Sequence, residues 1–271
     1  MNNSSSLLPA LIHLHLFKNG GSTLDWILRK NFGQQFMEFH GETANSVLLA
    51  PDIERMIGEH PEHVAFSSHH FRLPLDTVTT KPVFPIFFLR HPLDRIASMF
   101  DQERRMAAEG DDWMFASLSD WIEHSVRNRP YIFCDSQVSF LARGGVYYEP
   151  PNEFCLEDAI DALDRLPFFG LVSEYDASVV LLENQVQQWW PDFDGAHFPQ
   201  NEGSRDRGLD SRLERLASHL TPSAYAALLR NNKYDLALFE HARAELLART
   251  EQISDFSEKL DSLKQRSALL R

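Results

Sequence analysis

A chain of 271 residues, 43% of them hydrophobic, is long enough for one large α/β domain or two small ones around a buried core. Lys and Arg total 26 against 39 for Asp and Glu, a net charge of −13 at pH 7, which argues against a broad polyanion-binding surface for nucleic acid or heparin and leaves room for local basic pockets. The two cysteines, Cys134 and Cys155, lack partners at metal-ligand spacing and are too few for a disulfide framework, which points to a reducing compartment.

The start, Met1–Ser6, carries no basic residue, and the apolar run after it is interrupted by His13, His15 and Lys18. It reads as neither a signal peptide nor a membrane span, so a soluble, cytoplasmic protein is expected. Leu11–Phe17 reads as a strand that breaks at Gly20-Gly21 and resumes as a helix over Ser22–Lys30, stopping near Gly33. A helix that starts this way points its first unpaired N–H groups, and the positive end of its dipole, into the loop, where an anion can bind. Gly20 and Gly21 allow a close backbone approach to a ligand, Ser22 is placed to cap the helix with Asp25 three residues on, and Lys18 adds a positive charge. An ordinary strand-to-helix turn with a surface lysine explains this stretch equally well, so a second motif must decide. His13 and His15 alternate onto one strand face and read as structural.

Residues 34 to 60 are mixed, with a helix over Asp52–Glu59 opened by Pro51. A second strand, Val64–Ser68, ends in His69-His70. Val83–Leu89 is too uniformly apolar for a half-exposed strand and reads as the central strand of a parallel sheet, although Pro85 argues against it. Arg90-His91-Pro92 breaks that strand, and Leu93, Ile96, Met99 and Phe100 follow at helical spacing with Pro92 in the first helical position. Asp101–Asp112 is charged, a loop or a helix extension. Trp113, Phe115, Leu118, Trp121 and Ile122 mark a further helical face.

Beyond the run Asp135–Leu141 and the break at Pro150-Pro151, a helix is expected over Leu156–Leu166, a strand over Phe168–Val172 and a helix over Ala177–Trp190. Residues 191 to 208 look irregular and include Arg205 and Arg207. Helices then fill Leu209–Leu220, a segment from Thr221-Pro222 to Leu229, and Tyr234–Arg249. Ile253, Phe256, Leu260 and Leu263 form a short coiled-coil-like stripe that docks on the body or pairs with a second copy as a homodimer. Strands alternating with helices imply an α/β fold, a central parallel sheet flanked by helices with a helical C-terminal part. In such sheets ligands gather at the C-terminal strand ends, and Lys18, His69, Arg90 and Glu174 all follow predicted strands.

The P-loop of nucleotide triphosphatases places its lysine after the glycines, in the order G-x-x-x-x-G-K-[ST]. Here Lys18 precedes Gly20-Gly21, which argues against an ATP kinase or ATPase. His15-Leu16-Phe17-Lys18-Asn19-Gly20-Gly21-Ser22-Thr23 instead resembles the 5′-phosphosulfate loop H-I-P-K-T-G-G-T of sulfotransferases of the carbohydrate 2-O- and 6-O- group. Leu89-Arg90-His91-Pro92-Leu93-Asp94-Arg95-Ile96-Ala97-Ser98 resembles their second signature, L-R-D-P-V-x-R-F-x-S. Phe169–Asp176 is similar to the block F-V-G-L-T-E-R-F-D, and Tyr234–Ala242 to N-x-x-D-x-x-L-Y-x-x-A. The resemblance spans residues 10 to 245, with Phe17, Asn19 and His91 departing from it.

It implies a soluble bacterial member with a P-loop-like sulfotransferase domain over residues 1–249, followed by a C-terminal helix over residues 250–271. The donor would be 3′-phosphoadenosine 5′-phosphosulfate (PAPS), leaving 3′-phosphoadenosine 5′-phosphate (PAP) as product. Lys18, Asn19, Gly20, Gly21, Ser22 and Thr23 would hold the phosphosulfate, and Arg90 and Ser98 the 3′-phosphate. Arg95 would join that phosphate cluster or pair at the surface with Asp94 or Glu174. His69, with His70 beside it, stands where the family's catalytic histidine does, and Lys18 would neutralise charge on the leaving phosphate. If the backbone is extended there, only one of the two histidines faces the site, and His69 is favoured. No metal, nucleic acid or membrane is expected, and the acceptor is the hydroxyl, less readily the amine, of a carbohydrate or small molecule. The competing readings are a nucleotide-dependent kinase and a nucleotide-binding or interaction protein without catalysis.

Overall fold

The computed structural model describes residues 8–43, 45–108, 115, 117–145, 149–198 and 208–270. Met1–Ser6, Glu109–Asp112, Trp113, Arg205 and Arg207, all used in the sequence reading, lie outside the described residues.

The strands are β1 (Ala10–Leu14), β2 (Phe36–Glu38), β3 (Ala65–Ser68), β4 (Val83–Leu89) and β5 (Gly170–Leu171), in the order β2-β3-β1-β4-β5. The sheet is parallel: Leu11 stands opposite Ala65 and Phe84, and Phe36 opposite Ala65. Every residue of β1 is buried, as a strand covered on both faces requires. β1 is shorter than the sequence suggests, because the chain turns after Leu14, and β5 keeps two residues of the expected five. β2 escapes sequence reading because three residues are too few to show a period. Pro85 sits opposite Ile12 without interrupting β4.

The helices are α1 (Gly21–Phe32), α2 (Ala50–Glu59), α3 (Pro92–Ala108), α4 (Leu118–Asn128), α5 (Pro130–Phe133), α6 (Ser136–Arg143), α7 (Glu153–Arg165), α8 (Tyr175–Val186), α9 (Leu209–Ser218), α10 (Pro222–Asn231), α11 (Lys233–Glu251) and α12 (Phe256–Ala268). The run Asp135–Leu141 resolves into α6. The charged stretch after Phe100 extends α3 as far as Ala108. α4 starts only at Leu118, where the Ser117 hydroxyl accepts from the Asp120 N–H. Among the described residues no helix is long and apolar enough to cross a membrane.

The chain forms two compact units. The first comprises residues 1–88, 166–200 and 245–271 and holds nearly all of the sheet. From β1 the chain moves out to β2, returns through β3, and crosses to β4 on the other side of β1. That reversal makes the C-terminal ends of β1 and β3 the natural place for a ligand. α12 docks within this unit on α8: Leu263 is fully buried, Lys259 donates to Asn184 Oδ1 at 2.7 Å, and Arg266 pairs with Glu183 and Asp194.

The second unit comprises residues 89–165 and 201–244 and packs around Ile96, Met99, Trp121, Ile122, Phe133 and Leu228. Two aspartates in it cap each other's helices. Asp135 accepts from the N–H groups of Tyr234 and Asp235 at 2.9 and 2.8 Å, while Asp235 accepts from those of Gln137 and Val138 at 3.1 and 2.8 Å. The cross-cap satisfies the first turns of α6 and α11 together. Burial, reinforced by the neighbouring Asp235 charge, pushes the Asp135 carboxyl up to about 7.

In the unfolded chain Asp135 ionises near pH ~3.9, so between there and about pH 7 the folded state binds more protons, and stability falls as pH rises through that window. Asp135→Asn keeps the accepting oxygen, tolerates the left-handed φ of 43° at this position and removes the charge. Its melting temperature should stay flatter from pH 5 to 8 and lie a few degrees above that of the parent at pH 8, as calorimetry would read.

Candidate functional site

The loop after β1 is held in an unusual shape by its own contacts. Lys18 and Gly20 both adopt left-handed backbone, with φ of 67° and 74°. A non-glycine residue in that region is costly and is kept where the surroundings impose it, often at functional positions. Here Asn19 is buried and its Nδ2 donates to the Phe88 carbonyl at 2.7 Å, tying the loop to β4. The Tyr175 hydroxyl donates to the Gly20 carbonyl at 3.2 Å.

The two glycines are each required by the fold, for separate reasons. Gly20 takes the positive φ and would bring a Cβ to 3.0 Å from the Tyr175 ring. At Gly21 a Cβ would lie 2.1 Å from His15 Nε2. The expected capping box of Ser22 with Asp25 is absent. Gly20 is the N-cap and supplies no side-chain bond, Ser22 is exposed beside a cavity, and Asp25 turns inward. The first turn of α1 therefore carries no side-chain cap.

Asp25 turns inward toward two histidines. Its Oδ1 lies 2.7 Å from His13 Nδ1, its Oδ2 2.9 Å from His15 Nδ1, and His13 Nδ1 is also 2.9 Å from Ser67 Oγ at the end of β3. The two rings stack at 4.8 Å. Burial opposes ionisation of Asp25, but the two histidines prevail and hold its carboxyl far below the usual range. With the carboxylate ionised, both Nδ1 atoms are donors, and each Nε2 carries the lone pair. Nitrogen and oxygen donors of His13, His15 and Asp25 lie within 4.8 Å of one another and could in principle meet a cation. Each Nδ1, however, faces a different carboxylate oxygen at hydrogen-bond distance, so the carboxylate fills the middle of the group.

Above this cluster lies a cavity of about 330 Å³ whose lining includes His15, Ser22, Asp25, Trp26, Glu38, Ser68 and His69. His69 stacks on His15 with ring centroids 4.0 Å apart, and its Nδ1 donates to the His15 carbonyl at 2.6 Å. Burial, with the His15 ring adding to it, lowers the His69 imidazole to about 4. His70 is turned away and buried, with Nδ1 accepting from the Gly41 N–H at 2.7 Å. β3 ends at Ser68 and the chain bends at His69 and His70, so the two are separated by that bend and not by strand alternation: His69 lines the cavity and His70 supports the loop at Gly41.

The second signature lies in the second unit. The Arg90 backbone is clamped by Gln137, which accepts from its N–H at 3.0 Å and donates to its carbonyl at 2.8 Å. Arg90 Nε donates to Asp94 Oδ2 at 2.8 Å, and Arg212 donates to both oxygens of the same carboxylate at 2.8 and 3.1 Å. One buried aspartate thus orients two arginines, and although burial opposes it, Arg90 and Arg212 hold its carboxyl low. Arg95 is not a surface ion-pair partner: it is buried and donates to the Ile132 carbonyl and Ser136 Oγ at 2.9 and 2.7 Å. His91 is buried with its ring edge-on to Phe239, and burial lowers it to about 4. Ser98 is half-buried on α3.

No family model matches the chain. Over 243 residues it is 30% identical to an uncharacterized protein of Archaeoglobus fulgidus, an alignment covering 85% of this chain and 94% of that protein. The chain belongs to that protein's family. A functional reading of this chain therefore rests on its residues and their geometry.

Sequence reading missed His15, Asp25 and Arg212 as site residues. The i, i+2 spacing of His13 and His15 put both on one face, and an aspartate in the first turns of the next helix was the available signal for a partner. Arg212 gave none, because it meets Asp94 from 118 residues away.

Gly21→Ala should drive the His15 ring off Asp25, whereas Gly20→Ala should cost the left-handed strain of about 1–2 kcal/mol and a small shift of the Tyr175 ring. Thermal denaturation should therefore show the larger loss for Gly21→Ala, and imidazole NMR should show His15 perturbed in that variant alone.

Proposed function

We propose that the protein is a sulfotransferase that moves the sulfuryl group of PAPS to the hydroxyl, less readily the amine, of a carbohydrate or small-molecule acceptor. The observation that carries the reading is the loop Lys18–Thr23. Its lysine precedes the glycines, its backbone is held left-handed at Lys18 and Gly20, and it delivers the chain into the uncapped first turn of α1 beside a cavity lined by His69.

That donor set fits a phosphosulfate. Backbone N–H groups at the start of α1 suit its oxygens, the Ser22 hydroxyl is exposed next to them, and Lys18 supplies a cation. The donor, when bound, contributes an activated mixed anhydride. Sulfuryl transfer resembles phosphoryl transfer, so the protein's task is alignment and charge stabilisation. Lys18 neutralises charge developing on the leaving phosphate, and by the resemblance Arg90 and Ser98 take the 3′-phosphate. Asp94 fixes the Arg90 guanidinium so that its planar fork can meet two phosphate oxygens. The resemblance assigns the acceptor's proton to His69. The reading makes the protein a cytoplasmic enzyme acting on a dissolved acceptor.

Isothermal calorimetry with PAP and with ATP tests the proposal. PAP should bind in preference, and Lys18→Ala and Arg90→Ala should each weaken it by about 10-fold or more, the loss of one charge-assisted contact. Preference for ATP, or no binding of either nucleotide, overturns the reading. Acceptors can then be screened with radiolabelled donor.

A further inference from the structure

We infer that His15, oriented by Asp25, is the base that takes the acceptor's proton. The inference rests on the sulfotransferase reading and moves the proton transfer from His69 to a histidine on the loop that leaves β1.

Three observations carry it. The first is the orientation of the ring: His15 Nδ1 lies 2.9 Å from Asp25 Oδ2, which places the proton on Nδ1 and leaves Nε2 as the acceptor. No hydrogen bond occupies Nε2 among the described residues, and His15 lines the cavity. The second is position. Nε2 and Cδ2 each lie 2.1 Å from where a Cβ of Gly21 would stand, so this edge of the ring packs beside the first residue of α1, the helix end assigned above to the donor's sulfuryl group.

The third is charge. An imidazolium formed at His15 would meet the Asp25 carboxylate. One formed at His69 would face the His15 carbonyl and the His15 ring 4.0 Å away, with Asp25 acting on it only through space; burial lowers both imidazoles, His69 to about 4, and of the two His15 is the one with a carboxylate oxygen at 2.9 Å to offset it. His13 is excluded because it is buried and does not line the cavity.

In the step so assigned, the acceptor's O–H proton passes to His15 Nε2 while its oxygen bonds to sulfur. The bond from sulfur to the donor's 5′-phosphate oxygen breaks, and that oxygen keeps the electron pair. Nδ1–H stays with Asp25, a positioning residue that stabilises the cation. Burial lowers the His15 imidazole and the Asp25 contact opposes it; the other charged groups that act on it are His13 on β1, which lowers it further, and Glu38 on β2, itself paired with Arg29, while the His69 ring after β3 stacks on it.

The test compares His15→Asn, His69→Asn and Asp25→Asn in the full chain. PAP affinity is measured by calorimetry, and PAP release from PAPS with water and with methyl β-glucoside as acceptors. In His15→Asn the side-chain amide can still donate to Asp25, so the fold is kept while Nε2 is lost. Expected is a fall in PAP release of about 10²–10⁴-fold for His15→Asn, with PAP affinity within about 3-fold of the parent, and a loss under about 10-fold for His69→Asn.

Removing the Asp25 charge lowers the basicity of His15, so Asp25→Asn should move the acidic limb of the pH–rate profile to lower pH, which a merely structural aspartate would not do. Near-parental turnover in His15→Asn, an unmoved acidic limb, or an Nε2-protonated His15 in the parent by ¹⁵N imidazole NMR overturns the inference while leaving the sulfotransferase reading intact. Failure of the parent to bind PAP overturns both.

Discussion

The carboxylate of Asp25 is the constraint on which the rest of the site depends. It joins α1 to β1 through His13 and His15, and through the His13–Ser67 contact it reaches the end of β3. A buried carboxylate is tolerated only when its oxygens are satisfied, and here each faces an imidazole N–H. Removing one partner of such a buried arrangement typically costs about 3–5 kcal/mol, so the cluster anchors the first unit as well as shaping its cavity.

From that anchor the loop geometry follows. With the His15 ring held by Asp25, the first residue of α1 has room for no side chain, and Gly21 fills the position. Gly20 takes the left-handed turn under Tyr175, and Asn19 pins the loop to β4. Strain at Lys18 is therefore maintained by contacts on both sides of it, which is how a functional loop is kept preorganised.

The second unit solves a similar problem with opposite charges. Asp94 is nearly inaccessible and is shared by Arg90 and Arg212, so the trio carries a net positive charge. Arg95, four residues from His91, whose carbonyl accepts its backbone N–H, is spent on structure, holding Ile132 and Ser136. Two arginines of one sequence signature thus have different fates, one oriented by a carboxylate and the other buried against a carbonyl and a hydroxyl.

Much of the architecture was legible in the amino-acid order. Apolar runs with the period and length of buried strands announced β1, β3 and β4, and Pro92 and Thr221 marked where helices begin, because strand alternation, helical spacing and end chemistry are local properties. β2, α6 and the shortness of β5 were not legible, since a three-residue strand exists only through its neighbours' hydrogen bonds. Nor could sequence show that Asp25 turns inward rather than capping α1, that the second glycine answers to a histidine ring, or that Arg212 closes on Asp94. Those outcomes depend on which side chains the fold buries together, and the cost of burying an unpartnered charge is decided only when the tertiary structure brings its partner within reach.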